Sequence, residues 1–242
     1  MPEPFLSIIF PAYNEEHRLA QALDQTISYL KTQPFTSEVL IVENGSSDQT
    51  LAIAQKYASQ HPEIHVYHTD RAGKGMAIQL GMLAARGDYR FACDVDLSMP
   101  ISEINRFIPP LMQEEIVIAS REASGAIRYH EPGYRHFIGR IFNGLVRLIA
   151  LHGIRDSQCG FKCFSSKAAE DLFPLQTITG WTFDVEILFI ARKKKYRIIE
   201  LGIPWYHDPN TKVRVLKDSM RMLADLFVIR WNYLNGRYAA KN

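Results

Sequence analysis

Asp94 and Asp96 stand one residue apart, directly after the run Arg90-Phe91-Ala92-Cys93. Two carboxylates so spaced at a strand end can share a hard divalent cation. Mg²⁺ or Mn²⁺ would complete its oxygen shell from a diphosphate and water. Such a cation would act as a Lewis acid on a departing diphosphate. Asp pairs also serve turns and caps, so this pair gains its meaning from its company. Lys74, between Gly73 and Gly75, can reach a phosphate. Tyr13-Asn14-Glu15 and Glu43-Asn44-Gly45-Ser46 are two further polar clusters, each placed after an apolar run.

The elements that must carry these residues alternate. Leu6 to Phe10 reads as a strand stopped by Pro11, and Glu15 to Lys31 has helical spacing at Leu19, Leu23, Ile27 and Leu30. Val39 to Val42 is a second buried-type strand, after which Ser46, Ser47 and Asp48 offer capping chemistry for a helix through Tyr57. Ile64 to His68 is a third strand, Gly73 to Ala85 a helix and Tyr89 to Cys93 a fourth strand. This alternation predicts an α/β fold, with a mostly parallel central sheet and helices on both faces. In such sheets ligands sit beyond the carboxyl ends of the strands, where all three polar clusters fall.

The 242 residues suit one large domain, with 47% hydrophobic and 22% charged residues. Three cysteines form no disulfide framework, and Cys159 and Cys163 lack zinc-site spacing, so they read as small buried residues in a reducing cytoplasm. The start, Met1 to Phe5, has no basic region of a signal peptide, and Arg147 interrupts the best candidate for a spanning helix. There is no GxGxxG after the first strand, no GxxxxGK[ST], no GxSxG and no HExxH. Dinucleotide dehydrogenases, P-loop NTPases, α/β-hydrolases and zincins are therefore unsupported. The net charge of +2 hides an asymmetry. Residues 1–120 carry 8 Lys/Arg against 15 Asp/Glu, and residues 121–242 carry 20 against 11. A basic second half favours an anionic partner, although scattered solvated cations give the same count. No RNA-binding signature accompanies it, so nucleic acid is not expected.

Taken in order, Pro11-Ala12-Tyr13-Asn14-Glu15, Val42 to Asp48, Gly73-Lys74-Gly75 and Asp94-Val95-Asp96-Leu97-Ser98 resemble the signature of the family 2 glycosyltransferases of GT-A fold. Asp156 to Lys162, Gly180 to Glu186 and Lys212-Val213-Arg214 resemble the dolichyl-phosphate glucosyltransferase and polyprenyl-phosphate mannosyltransferase branch. Gln158-Cys159-Gly160-Phe161-Lys162 is closer to the glucosyl side. One departure is Glu43-Asn44, where the family more often has Asp-Asp.

The resemblance implies a single GT-A domain, with residues 1–120 as the nucleotide-sugar half and 121–242 as the acceptor and membrane-facing half. It implies that Pro11, Tyr13, Glu15, Glu43 and Ser46 line the nucleoside pocket. Lys74 and Lys212 approach the donor, with Arg214 beside Lys212, and Asp94, Asp96 and Ser98 take the metal. Arg121 and Arg135 grip the acceptor phosphate, a task suited to a planar guanidinium fork. The implied reaction moves a hexose, expected to be glucose from UDP-glucose, to a polyprenyl or dolichyl phosphate with inversion. GDP-mannose as donor and a saccharide hydroxyl as acceptor are the alternatives. A phosphate acceptor is already anionic, so Asp184 is a candidate base or an orienter of acceptor arginines, and equally a helix N-terminal carboxylate.

Two helical stretches bear on localisation. Tyr134–Leu151 carries Ile138, Ile141, Phe142, Leu145, Leu148 and Ile149, flanked by Arg135, Arg140 and Arg147. Lys217–Tyr233 carries Met220, Leu223, Phe227 and Trp231, with Arg221 and Arg230. Each is either an ordinary core helix or a basic helix lying in a bilayer interface. With a lipid acceptor, the second reading predicts a cytoplasmic protein held peripherally at the membrane surface. Arg192 to Lys195 could touch anionic headgroups or simply end a helix. Nothing in the residues specifies an oligomeric state.

Overall fold

The computed structural model describes residues 3–209 and 215–239, with the side chains of Arg135, Phe137 and residues 215–217 outside that set. The first half alternates as the apolar runs predict. It comprises β1 (Leu6–Ala12), α1 (Leu19–Leu30), β2 (Ser37–Glu43), α2 (Thr50–Gln60), β3 (Ile64–His68), α3 (Lys74–Ala84) and β4 (Tyr89–Cys93). The second half adds β5 (Ile116–Ser120), β6 (Ile127–Tyr129), α4 (Gly133–Ile149), β7 (Phe161–Ser165), α5 (Ser166–Leu172), α6 (Phe183–Lys193), β8 (Ile198–Gly202), β9 (Pro204–Tyr206) and α7 (Val215–Leu234).

Seven strands form one sheet in the order β3-β2-β1-β4-β7-β5-β8. Pairing is parallel except around β7, which runs against both β4 and β5. Strands β1 and β2 are buried on both faces, which is why they read as unbroken apolar runs. Alternate residues feed two cores. Ile9, Leu40 and Val42 join one with α3, α5, α6 and α7, while Ile8, Phe10, Val39 and Ile41 join the other with α1 and α2. β6 and β9 form a separate parallel pair, with Tyr129 stacked on Tyr206 at 4.5 Å.

Two boundaries differ from the sequence reading. β1 runs through Pro11 to Ala12 instead of stopping. Ala12 O accepts from Asn44 N on the β2 side, so Pro11 turns its missing N–H toward β4, whose pairing with β1 has ended at Ile9. α1 begins at Leu19 and not Glu15, because Glu15 N–H donates to Thr50 Oγ1 (2.7 Å) and residues 16–18 form a turn. At α2 it is Asp48 that accepts from Thr50 N–H, at 2.9 Å.

α4 and α7 each present apolar side chains to solvent. α4 buries Val146 and leaves Ile138, Ile141 and Leu148 exposed. α7 buries Met222, Leu226 and Ile229, so the stripe Met220, Phe227 and Trp231 faces outward; Leu223 alone of that stripe packs against the core. Arg140, Arg147, Arg221 and Arg230 are exposed around these side chains. The basic run at the end of α6 is largely engaged: Arg192 bonds His152 O, Lys193 lies 4.4 Å above the Tyr233 ring and Lys194 pairs with Asp171. It ends a helix. Among the described residues no helix is long and apolar enough to cross a membrane.

Candidate active site

Because β1 pairs with both β2 and β4, the carboxyl ends of all three lie side by side. The three polar clusters therefore share one edge of the sheet. After β1 the chain turns at Asn14, whose φ of 52° lies in the left-handed region that Asn tolerates. Asn14 N–H donates to Ser46 Oγ (2.9 Å) and Asn14 Oδ1 accepts from Ser47 N–H (2.8 Å), which locks the β1 loop to the β2 loop. Tyr13 is exposed at this rim, while Glu15 is buried and takes Arg18 Nη2 at 2.7 Å. Arg18 also pairs with Asp208. Asn44 bridges outward when its amide is turned to suit its partners: Nδ2 donates to Ala12 O at 2.6 Å and Oδ1 accepts from Gly73 N–H at 2.9 Å.

Glu43 is fully buried. Its Oε1 accepts from Ser46 N–H (2.5 Å) and its Oε2 meets His68 Nδ1 (2.5 Å). A shorter Asp here would reach less far along this turn, so the departure from the family pattern comes with a partner of its own.

Lys74 opens α3 with glycine on each side for a packing reason. A Cβ at Gly73 would stand 2.7 Å from Thr179 O, and one at Gly75 would stand 2.7 Å from Ile178 O. The loop before α6 thus presses directly on the start of α3. That loop is held by Glu186, which accepts from Thr177 N–H (2.9 Å), Ile178 N–H (2.8 Å) and Tyr238 O–H (2.7 Å).

Lys74 Nζ lies 2.6 Å from Asp94 Oδ1 and 5.3 Å from the centre of the Trp181 ring. Behind it, Lys162 Nζ lies 2.7 Å from Asp184 Oδ1 and donates to Cys159 O at 2.5 Å. Asp96 Oδ1 accepts from Ser98 N–H at 2.9 Å. Gly160, from the turn before β7, abuts Asp94 so closely that any side chain there would overlap its carboxylate. The antiparallel β7 thereby brings residues 159–162 against the end of β4.

Two ammonium groups, Lys74 and Lys162, face three carboxylates, Asp94, Asp96 and Asp184. Burial, and then the charge of Asp94, push Asp96 above the usual carboxylate range, against the pull of Ser98 and Lys74. Burial likewise lifts Asp184 by more than Lys162 and Lys74 lower it. Burial alone would depress Lys74, but Asp94, Asp184 and Asp96 hold it above the ordinary lysine value. Hard oxygen donors of this kind suit Mg²⁺ or Mn²⁺, although among the described residues no three His, Cys, Asp or Glu side chains close into a metal-holding group. Asp184 stands in the first turn of α6, where the helix dipole also favours a carboxylate.

Arg121 follows β5 and forks onto Asp156, with Nε 2.7 Å from Oδ2 and Nη2 2.9 Å from Oδ1. Against the cost of burial, Arg121 holds the Asp156 carboxyl at about 2. Arg121 also lies 5.4 Å from the Trp205 ring. Beside it a cavity of about 150 Å³ is lined by Arg121, Arg128, His136, Asn143 and Gln158, along the inner side of α4. Arg135 falls in the first turn of α4, with its side chain outside the described set. Lys212 and Arg214 lie outside the described residues.

Four functional-looking residues carry no individual role in the sequence reading. Asp156 and Lys162 stand inside the Asp-Ser-Gln-Cys-Gly-Phe-Lys motif, which was their signal. Glu186 carried the weaker signal of a second acid in one helical turn. His68, a lone histidine at a strand end, carried none. Cys93, Cys159 and Cys163 are free and buried, as expected.

A model of the glycosyl transferase family 2 matches residues 7–173. The chain is 33% identical over 253 residues to a dolichyl-phosphate beta-glucosyltransferase of Trichomonas vaginalis, covering 99% of this chain and 75% of that protein. It is 34% identical over 254 residues to the dolichyl-phosphate beta-glucosyltransferase of Homo sapiens, covering 98% of this chain and 78% of that protein. Among solved structures it resembles glucosyl-3-phosphoglycerate synthase from Mycobacterium tuberculosis in complex with Mn²⁺, UDP-glucose and phosphoglyceric acid. The TM-score is 0.65 at 17% identity, over 99% of this chain and 81% of that one. This likeness establishes a shared GT-A fold.

Proposed function

The chain belongs to glycosyltransferase family 2, and from that premise we propose that it transfers glucose from UDP-glucose to a dolichyl or other polyprenyl phosphate, with inversion. The observation that carries this reading is the convergence of Glu43, Ser46, Lys74, Asp94 and Asp96 on one sheet edge, in a chain similar over nearly its full length to dolichyl-phosphate beta-glucosyltransferases.

In this reading residues 1–120 form the donor half and residues 121–242 the acceptor half. Pro11, Tyr13, Glu15, Glu43 and Ser46 surround the nucleoside. Asp94 and Asp96 would hold Mg²⁺ or Mn²⁺, with Ser98 fixing Asp96 or adding a contact. When bound there, such a cation would supply Lewis-acid neutralisation of the leaving diphosphate. Lys74 adds a second positive charge on the same side, already aimed by Asp94. Arg121, with the donors its Asp156 pair leaves unused, and Arg135 serve the acceptor phosphate at the cavity beside α4. Lys212 and Arg214 serve the donor. The acceptor phosphate attacks the anomeric carbon as an anion, so no proton need be removed first. Asp184, committed to Lys162, orients the cationic cluster instead of acting as a base.

The outward apolar residues of α4 and α7, ringed by arginines, support peripheral association with an anionic membrane surface, where the acceptor resides. The three cysteines are free and buried and call for no oxidising compartment, which supports the cytoplasmic face.

The test is a donor screen with purified protein, Mn²⁺ or Mg²⁺ and detergent-solubilised polyprenyl phosphate. Radiolabelled UDP-glucose and GDP-mannose are compared with and without EDTA. EDTA-sensitive, lipid-extractable counts from UDP-glucose, abolished in Asp96→Asn, are the expected result. Counts from GDP-mannose alone would move the donor assignment. No lipid-linked counts, with UDP still bound, would move the acceptor to a hydroxyl.

A further inference from the structure

His68 ends β3 beside the β2 loop, and nothing in the reaction described above uses it. Its two ring nitrogens meet two different carboxylates: Nδ1 lies 2.5 Å from Glu43 Oε2 and Nε2 lies 3.0 Å from Asp70 Oδ1. An ionised carboxylate can only accept, so both ring nitrogens must donate. Both carry hydrogen only in the imidazolium, so the geometry calls for a cation. Its two partners differ in setting, since the Glu43 side chain is 1% exposed and the Asp70 side chain 96% exposed.

The surrounding turn depends on the same groups. Glu43 is clasped by Ser46 N–H on one oxygen and by His68 on the other. Gly45 between them has φ of 77°, and a Cβ there would stand 3.0 Å from Asp70 O. The loop after β3 is thus packed against the loop after β2, with His68 as the side-chain link between them. Without His68 the buried Glu43 carboxylate would lose one of its two fixed donors and could rotate.

We propose that His68, as its imidazolium, is a positioning residue of the donor site: it fixes the Glu43 carboxylate beside the nucleoside and makes donor affinity depend on the proton it carries. The proposal rests on the assignment of this sheet edge to a nucleoside diphosphate. The groups that act on its charge are Glu43 from β2 and Asp70 from the loop before α3, and hydrogen bonds to both raise its pKa, the bond to Glu43 first. As pH rises through that raised value the ring keeps one N–H. Glu43 retains a neutral donor, Asp70 is released into solvent, and the hold on Glu43 loses its charge assistance. Charge-assisted hydrogen bonds are roughly twice as strong as neutral ones. Donor binding is therefore tighter on the acidic side and weakens with rising pH.

Calorimetric titration of UDP in the presence of Mn²⁺ tests this with the full chain, the variant H68N and the variant H68A. UDP itself titrates near neutrality, but the ratio of variant Kd to wild-type Kd cancels that contribution. Asn places a neutral N–H close to the position of Nδ1. The expected H68N ratio is roughly 3–10 at about pH 6 and falls toward 1 on going to about pH 8.5, as the wild-type ring gives up its second proton. H68A, with no donor at all, is weaker at both pH values, and in turnover the loss appears in the donor KM. A ratio that does not change with pH, or stays within about twofold of 1 at the lower pH, overturns the proposal. Should H68A fail to fold, ¹⁵N-imidazole NMR of the wild type decides independently: a His68 pKa at or below 6.5 overturns it. If wild-type protein binds no UDP at all, the donor-site assignment falls, and this inference falls with it. UDP binding without a His68 effect sinks the inference alone.

Discussion

Replacing Lys162 by Met removes half of a pair whose side chains are only 3% and 7% exposed. At the observed 2.7 Å, an effective dielectric of about 20 gives a gross attraction of roughly 6 kcal/mol. Burying each ion costs several kcal/mol, so the intact pair stands near balance. Met fills much of the volume but leaves Asp184 facing only Lys74, which is already held by Asp94 at 2.6 Å. A buried charge left in this way costs about 3–5 kcal/mol, a large part of a typical total of about 5–15. Burial already lifts the Asp184 carboxyl, and loss of Lys162 lifts it further. A carboxyl whose folded pKa exceeds its unfolded one binds more protons when folded. Its stability is present below the unfolded value and is lost as pH rises through the folded value. K162M should therefore lie close to wild type at about pH 5 and fall furthest behind at about pH 8. The double variant K162M/D184N, which removes the orphaned charge, should regain most of the loss. Urea unfolding followed by tryptophan fluorescence at the two pH values reads all three proteins. The reasoning is refuted if K162M is within about 1 kcal/mol of wild type at the higher pH, or if adding D184N restores nothing.

The Asp156 carboxyl, held at about 2 against a usual 3.8, contributes about 2 kcal/mol. That stability is present above the unfolded pKa and is lost as pH falls through the folded one. R121Q, which leaves the buried Asp156 without its guanidinium, should lower stability at neutral pH by at least that amount and flatten the acid limb of a circular-dichroism titration. On α7, F227E/W231E alters two exposed side chains and should leave the melting temperature within a few degrees. Co-sedimentation with anionic vesicles should fall at least about tenfold, and what binding wild type shows should weaken with salt.

The first half was legible because its strands β1 and β2 are buried on both faces and declare themselves as unbroken apolar runs. The polar clusters that end those runs then had to meet at one edge. The direction of β7 was not legible, since an apolar run says nothing about which way its neighbour points. Yet that reversal is what sets Gly160 and Lys162 beside Asp94. The outward stripe on α7 was legible as apolar, but its facing was not. Met222, Leu226 and Ile229 compete with Met220, Phe227 and Trp231 around nearly the whole helix, so spacing alone could not select a face. His68 escaped because its meaning lies in two carboxylates, one of them 25 residues away in sequence.

The strand order has a consequence for how the chain is made. β1 to β4 can pair as soon as they leave the ribosome, but β4 then borders open solvent with the apolar edge Phe91-Ala92-Cys93. Its partner β7 begins only at Phe161, about 70 residues later, which takes roughly 3–14 s of synthesis. Throughout that interval the nascent chain offers an unpaired template for strands of other molecules. Truncations that end between β4 and β7 should accordingly aggregate, and yield of the whole protein should depend on chaperone supply and on the speed of translation through residues 94–160.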